Sequence, residues 1–524
     1  MPSQLPVRNL TSTAITIRRI ERFQDPNTLQ SKATGYFFGS NNTSLAAPTS
    51  PQLGEHARSF NHQDLDVTLA PFETYNLRQS EAQDETASIL SSTTTRITIE
   101  TLQGERYRID VNPSYSQRSS QPLIALSPNP STSYTALFHP SNPVPHLTLH
   151  ANHLPNYAEW MAKLPDTLPL SAISIPGTHN SHTHYRALPS VRCQVVNIKT
   201  QLDNGIRFLD IRVQPVHATD TTKKYLYLVH GAFPISLTGP KYLEPILQTC
   251  YAFLSSHPTE TILISLKREG VGSSTDEHLA RILEEHYFKP NASFWHTADS
   301  KLPYLGSVRG KLVLIRRYKT PPPPLSSPEG EEQEVSKQYS GAGTGLDATA
   351  WPWNATHALF PTPSTPSSSS LFCLQDYCEI LVPSLITQKI QYSNDHLARA
   401  AAATHHIPGF NTDTLNPVPP GPLYLNFLSA SNFWKRACWP EMIAKSVNRG
   451  VEEWVCRGLY LEEESGAERG REDVVVVRKK KKSGDGGTGV VVMDCVGENG
   501  DWEFVRLIVG MNMGVLMKME ELKY

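Results

Sequence analysis

At 524 residues, with 48 basic side chains against 50 acidic ones, the chain has room for two domains or for one large barrel with an appendage, and no global field draws it to nucleic acid. Its seven cysteines are odd in number and lack the close paired spacing of a zinc site or a disulfide framework, so a reducing, cytoplasmic setting is expected. The opening stretch MPSQLPVRNLTSTAITIRRI has no signal-peptide core, and no run approaches the roughly 20 apolar residues of a membrane span, so any membrane contact is expected to be peripheral.

Residues 1–150 are rich in Thr, Ser, Asn and Pro, and alternate apolar with polar residues over 14–20, 96–100 and 107–111. This predicts a small antiparallel β sandwich, with ITIETLQGERYRIDV as a hairpin around a Gly-containing turn. No cluster of histidines, cysteines or acids stands out there, so the segment reads as a binding or packing module. From 151 to 524 the pattern becomes strand, helix, strand. The first strand, in LSAISIPGTHN, breaks at Pro176-Gly177 and presents Thr178, His179 and Asn180 in succession. Val191, Val195, Ile198 and Leu202 recur at helical spacing, closed by Asn204-Gly205. Further strands are predicted at 206–213, 225–231, 261–267, 311–318, 371–376, 423–428 and 490–494, with helices over 243–254 and 275–283. Eight strand candidates with helices between them predict a parallel sheet closed into a distorted TIM-type (β/α)8 barrel. Two insertions interrupt it: a Pro, Ser and Glu-rich stretch at about 321–345, and 462–489, which carries the basic run 478–482 before SGDGGTG.

In such a barrel the reactive groups stand at the C-terminal ends of the strands. The polar residues found there are His179, Asp210, Arg212, His230, Lys267, Arg317, Asp376 and Asp494, and the period of two puts Asp210 with Arg212 and Ser265 with Lys267 on shared faces. Two histidines, an arginine and a lysine at one rim suit phosphoryl chemistry on a diester. One imidazole takes a proton from a hydroxyl nucleophile and the other returns one to the leaving alkoxide, while the guanidinium fork holds the phosphate. Arg316 competes with Arg317 for the inward position. His182 and His184 lie near His179, yet no carboxylate or cysteine stands at ligand spacing beside them, so neither a metal nor another cofactor is expected.

SAISIPGTHNSH, QLDNGIRFLDIRV, YLVHG and HPTETILISLKRE, in this order, resemble the X region of bacterial-type phosphatidylinositol-specific phospholipase C, and RGKLVLIRRY, FCLQDY, YLNFLSAS and VVVMDCV resemble its later strands. The resemblance implies a metal-independent phosphodiesterase with a phospholipid substrate at a membrane surface. In it His179 is the general base for the inositol 2-hydroxyl, Asp494 orients that base, and His230 is the general acid. It further implies that Arg212 binds phosphate with Asp210 beside it, and that Lys267, Arg317 and Asp376 hold the inositol hydroxyls. Two positions depart from the pattern. Asn180 stands where the bacterial family has an aspartate that assists the acid. Cys378 stands where an aromatic ring stacks beneath the sugar; Tyr377, one position earlier and by alternation on the other face, is the nearest aromatic candidate for substrate binding. Two alternatives follow from these departures: a lipid-binding relative with little turnover, or a phosphodiesterase for another phospholipid. A monomer is expected. The basic run could attract anionic headgroups, and Phe233, Ile235, Leu237, Trp351 and Trp353 fit either an apolar rim or core packing.

Overall fold

The computed structural model describes residues 4–24, 53–54, 56–78, 93–112, 120–139, 145–151, 156–188, 190–296, 301–321, 345–361, 371–459, 461–462, 468–469, 475–476, 480–481 and 483–521. Most of the proline-rich insertion, and the side chains of the basic run 478–482, lie outside the described residues. The chain divides into two compact units, Met1–Pro155 with Glu453–Lys482, and Asn156–Glu452 with Ser483–Tyr524.

In the first unit two five-stranded sheets share one apolar core. One runs in the order Thr74–Arg78, Gln4–Asn9, His146–Ala151, Tyr134–His139, Gln121–Pro122, and the other Asn61–Leu69, Ile15–Gln24, Thr93–Thr101, Arg106–Val111, Ile124–Ala125. Val7 and Leu147 of one sheet meet Ile17 and Ile97 of the other in that core. The expected hairpin joins Thr93–Thr101 to Arg106–Val111, turning at Gly104 with φ +80°. A bulge between Ile17 and Arg19 resets the alternation, so that Ile17 and Ile20 both point inward despite their odd spacing. The arrangement is not wholly antiparallel, because Gln4–Asn9 runs parallel to His146–Ala151.

The unit also takes in residues 453–482, which the sequence pattern assigned to the barrel. Buried Arg8 accounts for part of this: its guanidinium donates to the carbonyl oxygens of Val455 (2.8 Å), Cys456 (2.7 Å) and Leu459 (2.6 Å). A cation thus satisfies carbonyls at the C-terminal end of the helix Pro440–Gly458, where the helix dipole also favours positive charge.

The second unit is built on an eleven-stranded sheet: β1 (Ile175–Thr178), β2 (Phe208–Pro215), β3 (Leu226–His230), β4 (Phe233–Pro234), β5 (Ile262–Arg268), β6 (Leu312–Arg317), β7 (Leu346–Asp347), β8 (Ala358–Phe360), β9 (Phe372–Gln375), β10 (Leu423–Phe427) and β11 (Val490–Met493). Its path is β7-β6-β5-β2-β1-β11-β10-β9-β8, with β3 attached to β2 and β4 to β3. The strands from β7 to β9 along this path are parallel and β8 is antiparallel. Runs such as LVLIRR and VVVM are buried almost throughout, as strands covered on both faces must be.

This sheet corrects the expected barrel in three places. Among the described residues no strand pairs β7 with β8 or β9, so the sheet is a curled half-barrel and not a closed ring. The predicted third barrel strand exists as β3 but runs antiparallel to β2, the two lying only ten residues apart, too close for a crossover helix. The eighth parallel position belongs to β7, two residues long and next to the proline-rich insertion. The helix predicted from 191 is shorter as well. It begins at Ile198, because Asn197 caps it through the Thr200 N–H, and Val191 and Val195 lie in the preceding turn.

Candidate active site

Most of the predicted rim residues converge at the C-terminal ends of the parallel strands. β1 passes so close to β2 that a Cβ on Gly177 would lie 2.8 Å from that of Phe208, which explains the glycine. The chain then turns sharply through Asn180, at φ 41°, a left-handed conformation that asparagine tolerates. The turn is clamped from below. Gln194 Nε2 donates to the carbonyl oxygens of His179 (2.8 Å) and Met493 (2.9 Å), and the His179 N–H donates to Met493 O (3.0 Å). β1 and β11 therefore finish together, which brings residues 315 positions apart into contact: His179 Nδ1 and Asp494 Oδ1 are 2.8 Å apart.

That contact fixes the imidazole. Asp494 is 2% exposed and accepts the Nδ1 proton, so Nε2 carries the lone pair, and Arg212 Nη2 donates to it at 2.9 Å. Arg212 also reaches Asp210 Oδ2 through Nε and Nη2 (both 3.3 Å) and Glu269 through Nη1 (3.1 and 3.2 Å). Burial opposes its charge, but Glu269 and Asp210 outweigh burial and raise its pKa. Asp210, fully buried, also accepts from Ser265 Oγ (3.2 Å), Arg317 Nη1 (3.4 Å) and the Asn180 N–H (3.3 Å). Burial alone would raise this carboxyl, yet Arg212 and Arg317 hold it far below the usual carboxylate range. Glu269 is likewise lowered to about 2, the pull of Arg212 and Lys267 exceeding the cost of burial.

His230, at the end of β3, faces His179 edge-on with ring centroids 6.2 Å apart. Its Nδ1 donates to Val191 O (2.8 Å), leaving Nε2 as the basic nitrogen. Burial, together with Arg212 and His179, lowers its pKa to about 3, so it rests neutral at pH 7. The Asn180 amide does nothing to counter this. Its Nδ2 lies 3.7 Å from Cys193 Sγ, and its buried Oδ1 has no hydrogen-bond partner.

Of the sugar-side candidates, Lys267 lies 3.8 Å from Glu269, and burial followed by Arg212 lowers its pKa. Arg317 wins the inward position: its guanidinium stacks on the Trp351 ring, 3.7 Å from the centroid, while Arg316 turns to Asp347 at 2.8 Å. Trp351 Nε1 in turn donates to Asp376 Oδ2 (3.0 Å). Tyr377 is not brought into this cluster; its ring packs edge-on against Tyr392 of the helix Leu385–Ala402, because alternation after β9 sends it to the opposite face from Asp376.

Two contributors, Glu269 and Cys193, escaped the sequence reading, and a third, Trp351, was read there only as an apolar rim or core residue. Glu269 was signalled by the period of two through Ser265 and Lys267. Trp351 had no strand to place it, and its ring proves to be a platform for Arg317. Cys193 lies within 4.8 Å of ligand atoms on His179 and Asp494, although it is fourteen residues from His179 in sequence. His182, by contrast, is a packing residue, buried with Nε2 bonded to Val229 O at 3.0 Å.

Taken together these features define an α/β protein with a histidine–carboxylate–arginine cluster at the strand ends of a curled sheet. Residues 167–318 match the family model for the phosphatidylinositol-specific phospholipase C X domain. The 1-phosphatidylinositol phosphodiesterase of Listeria monocytogenes is 31% identical over 175 residues, covering 32% of this chain and half of the relative's length. The enzyme of the same name from Staphylococcus aureus is 25% identical over 280 residues, covering 52% of this chain and 75% of the relative. PI-PLC X domain-containing protein 3 of Danio rerio is 31% identical over 159 residues, with 24% and 47% coverage. Among solved structures, the phosphatidylinositol-specific phospholipase C of L. monocytogenes aligns with 68% of this chain and 98% of its own, at 20% identity and a TM-score of 0.44.

Proposed function

We propose that this protein is a phosphodiesterase that cleaves the glycerol–phosphate bond of phosphatidylinositol-type lipids without a metal ion. The observation that carries the reading is His179 held between Asp494 on Nδ1 and Arg212 on Nε2. The inositol 2-hydroxyl gives its proton to His179 Nε2, and its oxygen forms a new bond to phosphorus. His230 first takes up a proton from solvent on Nε2 as the phosphate anion binds beside it, and when the bond from phosphorus to the glycerol oxygen breaks, that Nε2 proton passes to the leaving oxygen. Diacylglycerol leaves and a cyclic inositol phosphate remains. Arg212 binds the phosphate and offsets its growing charge, and Lys267, Arg317 and Asp376 hold the sugar hydroxyls. The guanidinium on His179 Nε2 occupies the place a metal would need to reach that nitrogen.

The lipid is met at a membrane surface. Trp434 is 87% exposed and Leu381 63% exposed, and Phe433 stacks on Phe233 three residues after His230, with ring centroids 4.9 Å apart. These apolar groups suit the interface between headgroups and acyl chains. Among the described residues no helix is long and apolar enough to cross a membrane. Vesicles containing phosphatidylinositol test the proposal. A cyclic phosphate in the aqueous phase, unaffected by EDTA and lost in His179→Ala and His230→Ala, is the expected result; an EDTA-sensitive reaction or full activity in both variants refutes it. A second reading, lipid binding with little turnover, is favoured by the neutral His230 beside Asn180. It predicts that the wild-type chain binds such vesicles and releases no product.

A further inference from the structure

Three trios of histidine, cysteine and aspartate bring ligand atoms within 4.8 Å of one another among the described residues. Two are ill suited to a cation. In His179, Cys193 and Asp494, Arg212 already donates to the free nitrogen of the histidine. In His139, His146 and Cys456, Arg457 Nε donates to His146 Nδ1 at 2.8 Å, which leaves the proton of the neutral ring on Nε2, the nitrogen a metal would need.

The third trio is different. His357 precedes β8, Cys373 lies in β9, and His396 lies on the helix Leu385–Ala402 that packs over these strands. Cys373 Sγ is 3.6 Å from His357 Nδ1. A tetrahedral zinc ion, with Zn–S of about 2.3 Å and Zn–N of about 2.0–2.1 Å, separates a sulfur and a nitrogen ligand by roughly that same distance. His396 is wholly buried, its ring within polar reach of the Cys373 backbone, and neither of its ring nitrogens has a partner of full hydrogen-bond geometry. Its neighbours on the same helix face do have partners: Lys389 donates to Gln375 Oε1 and Phe427 O, and Ser393 Oγ accepts from Gln375 Nε2. Even with one nitrogen turned to that backbone, the other is left over, and a buried imidazole nitrogen without a partner is costly unless something takes it up. The cations that act on His396 are Arg399, exposed to solvent one turn further along the helix, and Lys389, whose charge is shared with Gln375 and Phe427.

We infer that His357, Cys373 and His396 form a site for a soft divalent transition metal, zinc by preference, with a fourth position open to solvent beside the exposed His357. The site is separate from the catalytic cluster. Cys373 and Gln375 face the helix, whereas Asp376 reaches the rim on the opposite face of the same strand. One thiol proton leaves as the sulfur binds the metal. Bound there, the ion would tie β8 and β9, the open edge of the half-barrel, to the helix that covers them.

Cobalt(II) added to the full-length protein is the probe. One equivalent should produce a thiolate-to-cobalt charge-transfer band that zinc abolishes by displacement. Cys373→Ser should lose the band, and His357→Ala, a change on an exposed turn that leaves the fold intact by circular dichroism, should weaken binding by at least the roughly 10–100-fold typical of a lost supporting partner. Cys193→Ser and Cys456→Ser should keep it. The inference is overturned if wild type gives no band, if the band survives in Cys373→Ser or binds unchanged in His357→Ala, or if it disappears in Cys193→Ser or Cys456→Ser.

Discussion

Asn180→Asp isolates the step on which the proposed activity depends. The Asn180 Nδ2 atom lies 3.7 Å from Cys193 Sγ, which lies 3.9 Å from His230 Nδ1, so a carboxylate oxygen in its place is within about 7.6 Å of the imidazole. At an effective dielectric constant of about 20, one negative charge at that distance favours the imidazolium by about 2 kcal/mol, or about 1.6 in pKa. His230 should then titrate between roughly 4 and 5 in place of about 3. At pH 7 a shift of about 1.6 raises the protonated fraction about forty-fold, and an acid-limited rate should rise by a factor of that order. Two-dimensional NMR of histidine-labelled protein reads the titration, and release of cyclic phosphate from phosphatidylinositol vesicles reads the rate. A His230 pKa that moves by less than about 0.3 refutes the electrostatic argument. A raised pKa with an unchanged rate refutes the role of His230 as the acid.

Asp494→Asn should leave the fold intact but let His179 adopt the wrong tautomer, lowering kcat/KM by on the order of 10²–10⁴ in the vesicle assay. Arg212→Met removes the phosphate fork and should cost on the order of 10²–10³ in kcat, whereas a larger effect on KM alone would point to simple binding. Gly177→Ala drives a methyl group into Phe208 and should destabilise by about 1–3 kcal/mol, seen as a lower midpoint in urea with an unchanged slope. His182 and His230 are held neutral by burial, with folded pKa values of about 4 and 3 against about 6.5 unfolded, so the unfolded chain binds more protons in that window. Their contribution is fully present above pH ~6.5 and is lost as the pH falls toward ~3, so Tm should drop between pH ~7 and ~5, and less steeply in His182→Gln.

Much of the site could be read from the chain because it rests on local rules. Asp210 and Arg212 share a face by the period of two, and His179 follows a Pro-Gly break at a strand end, so neither required knowledge of distant contacts. The failures have a common physical origin. Whether 225–231 runs parallel or antiparallel depends on the length of its connection, and the strand's own composition is the same in both cases. Closure of the sheet depends on pairing between strands some distance apart, which no single run of residues records. Tyr377, offered as the nearest aromatic candidate for the sugar, stays off the rim because alternation turns it to the other face, as the period of two already indicated. Trp351 acquired its role from Arg317, a contact between segments that the residues of neither one foretell.

The resting contacts of Arg212 bear on how a substrate would enter. Its guanidinium is shared among Asp210, Glu269 and His179, so no N–H points to an unfilled site. The two carboxylate contacts are charge-assisted and geometrically fixed, whereas the donation to His179 Nε2 joins a cation to a neutral ring and is the weakest of the set. An arriving phosphodiester anion therefore gains most, at least cost, by taking Nη2 away from the histidine. That exchange places the phosphate beside Arg212 and uncovers the Nε2 lone pair in the same motion. The base would then become available only when the phosphate is in position to use it. The same anion, close to His230, favours its protonated form and supplies part of the charge that Asn180 does not.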